Sequence, residues 1–340
     1  MKSNSNIKKF LFNFIIIFVV LIIVLYFSLK DNYEEIVSAI FNMNKLYILV
    51  AILILFLYRF FISCSHYLII KTNNKLIPLL KCFQINFIIL FFHGVTPFAG
   101  GGQPMEVYFL HKEDIEVTKA TNITLQNFIV YQISLVLLGI FALVYNNIYT
   151  LFPNDNLIRK LVVVGFLVNF LVLVISFILS FGKKVNRVIC MKGIDLLSKL
   201  KLFKNSDGIK DDFNDYLDKF HESAVKLKKN KKIVFACILI NIIAILTLYS
   251  MPYFLGMGLG IDFKWLEVVV ATSYVMIIGS FVPIPGGTGG IEYGFVFFFN
   301  YLVKGSIING LMLVWRFISY YLGVVIGAIA LSVYRKKDIK

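Results

Sequence analysis

The sequence contains few charged residues, prolines and cysteines for its length. Only 16% of its 340 residues are Asp, Glu, Lys or Arg, and seven are proline. The four cysteines, Cys64, Cys82, Cys190 and Cys237, form no CxxC pair, so neither a disulfide framework nor a cysteine metal site is indicated. No Walker loop, GxSxG elbow or HExxH motif occurs. The sequence therefore predicts no metal, no cofactor and no catalytic residue in this chain.

Apolar residues dominate what is present. Hydrophobic residues make up 59% of the chain, 34 residues are phenylalanine, and the mean hydropathy is +0.82. This is too apolar for a single soluble core. Several runs have the length that a helix needs to cross the hydrocarbon of a bilayer. The sequence therefore predicts an all-α integral membrane protein with six transmembrane helices, at residues 10–29, 46–70, 122–145, 161–181, 233–255 and 317–334.

The net charge of +15 indicates how the chain is oriented in the membrane. In a soluble protein it would suggest a nucleic-acid partner, but here most lysines and arginines fall on one side of the predicted spans. The positive-inside rule predicts that this side, with both termini, is cytoplasmic in a multi-pass cell-membrane protein that binds no nucleic acid. The basic loop 182–232 contains apolar residues at helical spacing, which predicts an amphipathic helix. Whether that helix lies on the anionic inner leaflet or is a solvated connector stays open.

Two glycine-rich segments form an internal repeat. Residues 97–109 read PFAGGGQPMEVYF and residues 283–295 read PIPGGTGGIEYGF. Aligned without a gap, both contain the pattern P-x-x-G-G-x4-E-x-x-F. The predicted topology lets the first copy enter from the cytoplasm and the second from outside, so the copies are inverted. We therefore expect one polytopic domain, 1–340, with a pseudo-two-fold axis and two re-entrant helical hairpins at 82–110 and 265–303.

The breaks in these hairpins predict a binding site. Non-helical backbone at membrane depth needs protein or trapped water around it, and paired broken helices often form the substrate site of a transporter. A helix that begins at Gly102 or Gly290 would direct free N–H groups at an anion such as a lipid phosphate. Ionisable groups inside a membrane are functional candidates. The predicted lipid-binding or substrate-binding residues are Arg59, Gly100, Gly101, Glu106, Gly286, Gly287, Gly289, Gly290, Glu292 and Arg316, with His93 as a candidate proton relay.

Several roles stay open for the charged residues. The two glutamates and two arginines could form a buried ion-pair network that fixes the hairpins. Alternatively, the arginines bind a phosphodiester headgroup, and the glutamates orient the glycine loops, bind a cationic headgroup or carry a coupled proton. A lone histidine such as His93 is more often a hydrogen-bonded packing residue than a proton relay.

The two motifs resemble those of the lysylphosphatidylglycerol synthase/flippase family. The resemblance covers about residues 7–335 and is confined to the membrane-embedded, flippase-like region of that family. It implies movement of lysyl-phosphatidylglycerol to the outer leaflet, and with it resistance to cationic antimicrobial peptides. Full-length members also carry a cytosolic domain that transfers lysine from its tRNA to the lipid. We expect this chain, which stops at Lys340, to lack that domain and its chemistry.

The leading hypothesis is therefore a translocator of an anionic or aminoacylated phospholipid. Its predicted partners are the bilayer and the headgroups of phosphatidylglycerol or lysyl-phosphatidylglycerol. A second copy of the chain and a separate synthase also stay open as protein partners. The alternatives are a phosphatidylglycerol lysyltransferase, as the family's name suggests, a small-solute transporter built on the same inverted repeats, and a membrane scaffold.

Overall fold

The computed structural model describes residues 33–334, except for residues 74–75, 153–155, most of 189–229, 281, 283 and 306. Regular secondary structure in these residues is entirely helical, which confirms the predicted all-α membrane protein. The predicted span 10–29 and most of the basic loop lie outside the described residues. In chain order the helices are α1 (Tyr33–Asn42), α2 (Lys45–Thr72), α3 (Leu79–Val95), α4 (Gly102–Lys112), α5 (Val117–Tyr149), α6 (Asn156–Phe181), α7 (Lys231–Tyr249), α8 (Met251–Gly258), α9 (Trp265–Gly279), α10 (Gly290–Leu302), α11 (Ile307–Arg316) and α12 (Gly323–Ser332).

Five long apolar helical segments can each cross a bilayer, and they correspond to five of the predicted spans. They are α2, α5, the segment Lys160–Phe181 of α6, the continuous pair α7 and α8, and the segment Ile307–Ser332. The last one begins earlier than the predicted run 317–334. It passes through Arg316 and a π-helical turn, Phe317–Leu322, before continuing as α12. The predicted run was defined by the absence of charged residues, so it begins after Arg316. The helix itself includes Arg316, because this arginine is paired with a buried carboxylate.

The two glycine-rich segments form helix–turn–helix hairpins, α3 with α4 and α9 with α10. Helix α3 has 17 residues and α9 has 15. At 1.5 Å per residue these lengths are about 25 Å and 22 Å, which is less than the hydrocarbon thickness of about 30 Å. Short 3₁₀ turns, Pro97–Ala99 and Pro285–Gly287, join the two arms of each hairpin.

The two hairpins start at opposite ends of helix α2. The Asn44 amide, just before α2, donates to the Gly258 carbonyl at the end of α8 at 3.0 Å, so the second hairpin starts beside the N-terminus of α2. The first hairpin follows the other end of α2, at Thr72. Each hairpin also returns to its own end: Lys81 and Glu113 of the first form a 3.4 Å ion pair. In the second, the ring of Phe299 lies 5.9 Å from that of Phe263, which precedes α9.

Each hairpin packs against the spans of the other half of the chain. Helix α3 lies against α12, where Gly323 faces Leu90 and Gly327 faces the Phe87 carbonyl without room for a Cβ atom. Helix α9 in turn packs on α5 and α6. Because the hairpins enter from opposite ends, their 3₁₀ turns meet and contact each other inside the bundle.

Candidate functional site

The second turn, residues 284–289, is held by a buried ion pair. Glu292 Oε1 lies 2.7 Å from Arg316 Nε, and the two residues are only 7% and 5% exposed. The other carboxylate oxygen, Oε2, accepts the Gly289 N–H at 2.6 Å. Arg316 Nη2 donates to the Gly286 carbonyl, so the arginine ties the following span to the turn. Charge-assisted hydrogen bonds thus stabilise both members of the buried pair.

At the N-terminus of the helix that begins at Gly290, the carboxylate of Glu292 accepts the Gly289 N–H. The binding of an anion such as a lipid phosphate by the helices that begin at Gly102 and Gly290 stays a prediction. A negative charge in the first turn of a helix is also favoured by the helix dipole. In the first hairpin, the Thr96 hydroxyl accepts the Gly101 N–H at 2.8 Å. Each helix end therefore has one N–H group bound by a side chain of the protein.

The first turn, residues 96–101, uses its glycines differently from the second. Gly286, Gly287 and Gly289 have φ between 66° and 88°, a conformation that favours glycine. In the first turn the left-handed residues are Phe98 and Ala99, with φ of 53° and 54°. The glycines there provide space instead: a Cβ atom on Gly101 would collide with Thr96, and one on Gly102 with His93.

His93 is fixed by the first turn. Its Nδ1 is hydrogen-bonded to the Ala99 carbonyl, and a carbonyl can only accept, so Nδ1 carries a hydrogen. The ring also lines the cavity described below. Both observations fit the packing role that a lone histidine usually has, and its role as a proton relay stays a prediction.

Glu106 lies in a different environment from its aligned partner Glu292. It is 5% exposed, and its Oε1 accepts a hydrogen bond from Asn127 Nδ2 at 2.7 Å. His66 Nδ1 lies 3.3 Å from the same oxygen and also 3.3 Å from Asn86 Nδ2. One ring nitrogen can donate to the carboxylate or accept from the amide, but cannot do both at once. Glu106 is therefore bound by a neutral amide where Glu292 is bound by an arginine.

The repeat is still visible in these contacts. Each glutamate sits on the second arm of its hairpin and is bound by a side chain of the span that follows: Asn127 on α5 for Glu106, and Arg316 on α11 for Glu292. A network of both acids and both arginines was one of the open alternatives, and it is not formed among the described residues. Only one of the four possible partnerships, Glu292 with Arg316, is an ion pair among the described residues.

Tyr320 joins the two halves. Its hydroxyl donates to the Gly94 carbonyl in the first hairpin at 2.6 Å. The guanidinium of Arg316 lies 4.3 Å from the centre of the Tyr320 ring. A Cβ atom on Gly286 would collide with the same ring. The second turn, the last span and the first hairpin are therefore in mutual contact through one tyrosine.

A cavity of about 590 Å³ lies where the turns meet. Helices α2, α3, α5, α6, α7, α9 and α10, both turns and the last span contribute to its wall, which is mainly apolar. The exposed residues of the wall are Phe98, Ser280 and Ile284, all at the turns or at the end of α9. The mouth of the cavity therefore lies beside the turns. Its polar side chains are Tyr58, Arg59, His93, Tyr131, Gln132, Asn169, Tyr249, Thr272, Ser273, Ser280, Arg316, Ser319 and Tyr320.

Arg59 brings an unneutralised charge to this wall. It lies near the middle of the 28-residue helix α2. Its guanidinium is 4.8 Å from the centre of the Tyr58 ring, and its Nε is buried without a hydrogen-bond partner. Among the described residues, no carboxylate lies within ion-pair distance of Arg59. The cavity wall itself contains no acidic residue.

The predicted site residues fall into two groups in the structure. Arg59, His93, Gly286, Gly287 and Arg316 line the cavity. The other predicted residues lie outside its wall and support the hairpins: Gly100, Gly101, Glu106, Gly289, Gly290 and Glu292.

Sequence reasoning missed the tyrosines of the wall. The hydroxyls of Tyr58 and Tyr131 are 3.2 Å apart, and Tyr320 bridges the halves. The one available signal was that Tyr58 adjoins an intramembrane arginine and Tyr320 follows another by four residues. Tyrosine is too common in this chain for that signal to stand out, because 18 are present.

Within the described ranges, no three His, Cys, Asp or Glu side chains come together in a way that could hold an ion. Cys64, Cys82 and Cys237 are free thiols.

Comparison with known proteins agrees with this architecture. Residues 13–327 match the family described as "Lysylphosphatidylglycerol synthase TM region". A relative from Archaeoglobus fulgidus, described as a "UPF0104 membrane protein", is 22% identical over 311 residues, which cover 84% of this chain and 89% of the relative. The family match extends over most of the chain and includes both hairpins and the cavity between them. The chain therefore belongs to the family of the lysylphosphatidylglycerol synthase transmembrane region.

Proposed function

We propose that this protein moves phospholipids between the leaflets of the cell membrane, with its hairpins re-entering the bilayer from opposite faces. The observation that carries the proposal is the cavity of about 590 Å³ between the two turns, which has two arginines in an otherwise mainly apolar wall. A site of this kind near mid-depth suits a headgroup that must leave water. Membership in a family named for a lipid-modifying enzyme supports a lipid as the ligand.

The physical difficulty in lipid movement is the headgroup. A charged group at the bilayer centre costs several kcal/mol or more unless protein or water solvates it. The arginines, tyrosines and amides of the cavity wall supply hydrogen bonds there, while the acyl chains can stay in the bilayer through the mouth beside the turns. A cavity that opens at exposed apolar residues such as Phe98 and Ile284, which are 65% and 46% exposed, fits a lipid better than a fully enclosed solute.

We also propose a cargo and a biological role, both taken from the family resemblance. The family resemblance favours phosphatidylglycerol or its lysyl derivative as cargo, and exposure of the lysyl lipid would reduce the negative charge of the outer surface. Resistance to cationic antimicrobial peptides would follow from that reduction. The excess of basic residues in the loop 182–232 favours cytoplasmic termini.

The test is a leaflet-exchange assay in liposomes that contain the purified protein. Fluorescent phosphatidylglycerol is bleached from outside by an impermeant reductant, and lysyl-phosphatidylglycerol is labelled by an impermeant amine reagent. We expect the protein to expose lipid that started in the inner leaflet. Ser319→Phe should suppress this exchange, since Ser319 lines the cavity. Ser332→Phe, an exposed serine later in the same span, is the matched control and should stay active.

Three results would count against the proposal. Folded protein that exchanges no lipid would refute it, as would equal exchange by Ser319→Phe and Ser332→Phe. Uptake of a water-soluble organophosphate without lipid exchange would favour the small-solute transporter. Aminoacylated lipid formed by this chain from lysyl-tRNA would instead support the lysyltransferase.

A further inference from the structure

The described wall of the cavity carries a net positive charge that no described carboxylate neutralises. Of its two arginines, Arg316 is paired with Glu292 at 2.7 Å. Arg59 has no such partner among the described carboxylates, and the wall contains no Asp, Glu or Lys side chain. His93 donates from Nδ1 to Ala99 and is satisfied as a neutral ring. The uncompensated positive charge of the described wall is therefore that of Arg59.

An unpaired arginine in the middle of a membrane helix needs a counter-charge. Its Nε–H is out of contact with solvent and lacks an acceptor, which is costly for a buried polar group. A guanidinium presents planar, paired donors that match the oxygens of a phosphate. The hydroxyls of Tyr58 and Tyr131, which are 3.2 Å apart in the same wall, can supply further hydrogen bonds to such an anion.

We propose that the cavity recognises its ligand through a phosphate anion held by Arg59, and that it does not select for an aminoacyl amine. This inference rests on the proposed lipid translocation and names the chemical group that the site recognises. A phosphate mono- or diester supplies the missing charge. The apolar wall around Arg59 favours a lipid phosphate over a free one, because acyl chain or glycerol carbon would fill the space that a small anion leaves.

The described wall offers no carboxylate to pair with the amine of a lysyl headgroup. An ammonium group in a dry site is stabilised most by a carboxylate. Glu292 already accepts hydrogen bonds from Arg316 and Gly289. Glu106 lies outside the cavity wall and accepts from Asn127. Lysyl-phosphatidylglycerol is then bound through the phosphate that it shares with phosphatidylglycerol, and its amine adds nothing.

The experiment measures binding to the purified full-length protein through Trp315, which lines the cavity and stacks on Phe295 at 4.7 Å. Trp265 is the other tryptophan, so Trp265→Phe makes Trp315 the single reporter. The probes are short-chain phosphatidic acid, phosphatidylglycerol, lysyl-phosphatidylglycerol and diacylglycerol, with glycerol 3-phosphate as the soluble phosphate. Arg59→Gln and Arg59→Lys are compared with Lys304→Gln, which removes an exposed charge outside the cavity.

We expect the three phospholipids to bind with similar affinity and diacylglycerol and glycerol 3-phosphate to bind much more weakly. Arg59→Gln should weaken all three phospholipids by roughly 10- to 100-fold, the loss expected for charge-assisted hydrogen bonds. The phospholipid affinity of Arg59→Lys should fall between those of the unmodified protein and Arg59→Gln. Lys304→Gln should have no effect on binding. Since no described carboxylate pairs with Arg59, Arg59→Gln should also leave the protein without added lipid at least as stable as before.

Other results would overturn the inference. Tenfold tighter binding of the lysyl lipid than of phosphatidylglycerol would show that the cavity recognises the amine. Binding of glycerol 3-phosphate as tight as that of phosphatidic acid would make the ligand a soluble phosphate. Unchanged phospholipid binding by Arg59→Gln, or marked destabilisation of the empty protein, would assign Arg59 a structural role. If leaflet exchange persists in that case, the proposed function stands and only the recognition by Arg59 fails.

Discussion

The ion pair between Glu292 and Arg316 gives the sharpest prediction about stability. Glu292→Gln keeps the size of the side chain but removes its charge, which leaves the Arg316 guanidinium buried and 5% exposed beside a neutral group. Breaking a buried pair by removing one partner costs about 3–5 kcal/mol, mostly from the uncompensated charge that remains. The glutamine can still accept the Gly289 N–H, so the turn keeps one of its hydrogen bonds. We therefore expect a loss of about 3–5 kcal/mol of unfolding free energy.

The assay is equilibrium unfolding in mixed detergent micelles, followed by tryptophan fluorescence. Glu267→Gln is the matched control. Glu267 also pairs with a cation, Lys264 at 3.2 Å, but the Lys264 side chain is 82% exposed. An exposed pair contributes about 0–1 kcal/mol, so this variant should be close to the unmodified protein.

The double variant Glu292→Gln, Arg316→Gln completes a thermodynamic cycle. Removing both charges eliminates the stranded guanidinium, so the double variant should be more stable than the sum of the single losses implies, by about 2 kcal/mol. The reasoning would be refuted if Glu292→Gln cost no more than Glu267→Gln. Strict additivity of the two single variants would refute it equally, because the residues would then not be coupled.

Three further predictions concern the hairpins. Gly286→Ala should lower the unfolding free energy by about 1–2 kcal/mol because φ is 67° there. Gly100→Ala at the aligned position, where φ is −73°, should be tolerated. Equal losses in the unfolding assay of the two variants would contradict the structure. Glu106→Gln should cost less than about 1 kcal/mol in the same assay, since no arginine or lysine is paired with this carboxylate; a loss as large as that of Glu292→Gln would mean that Glu106 neutralises a cation. Tyr320→Phe removes the hydrogen bond to the Gly94 carbonyl and should cost about 1 kcal/mol, with faster hydrogen exchange at both turns; unchanged exchange at the first turn would show that the tyrosine does not couple the hairpins.

Local features of the sequence predicted the helices well. Five of the six apolar runs correspond to spans in the described residues, because hydrophobic length decides which segments can cross a bilayer. The breaks at Pro97–Ala99 and Pro285–Gly287, and the helix starts at Gly102 and Gly290, also follow from the chain itself. Proline and glycine interrupt a helix wherever they cluster, whatever surrounds them.

The partners of the charged residues could not be predicted in this way. Glu106 and Glu292 occupy the same place in the repeat, yet one binds an asparagine and the other an arginine. The three glycines of the first turn resemble those of the second, but the left-handed backbone falls on Phe98 and Ala99 instead. These outcomes depend on which side chains from distant helices reach the turn, and an alignment of the two motifs contains no such information.

The sequence by itself therefore determined the membrane class, five of the predicted spans and the two broken hairpins, since each depends on hydropathy and backbone preferences within a few residues. Only the tertiary structure decided that the hairpins meet turn to turn and enclose a cavity. It also decided that Arg316 is neutralised there while Arg59 is left without a carboxylate among the described residues. The physical reason is that charge pairing and close packing depend on contacts between side chains of different helices. Some of these helices are far apart in the chain, as are those of Tyr320 and Gly94.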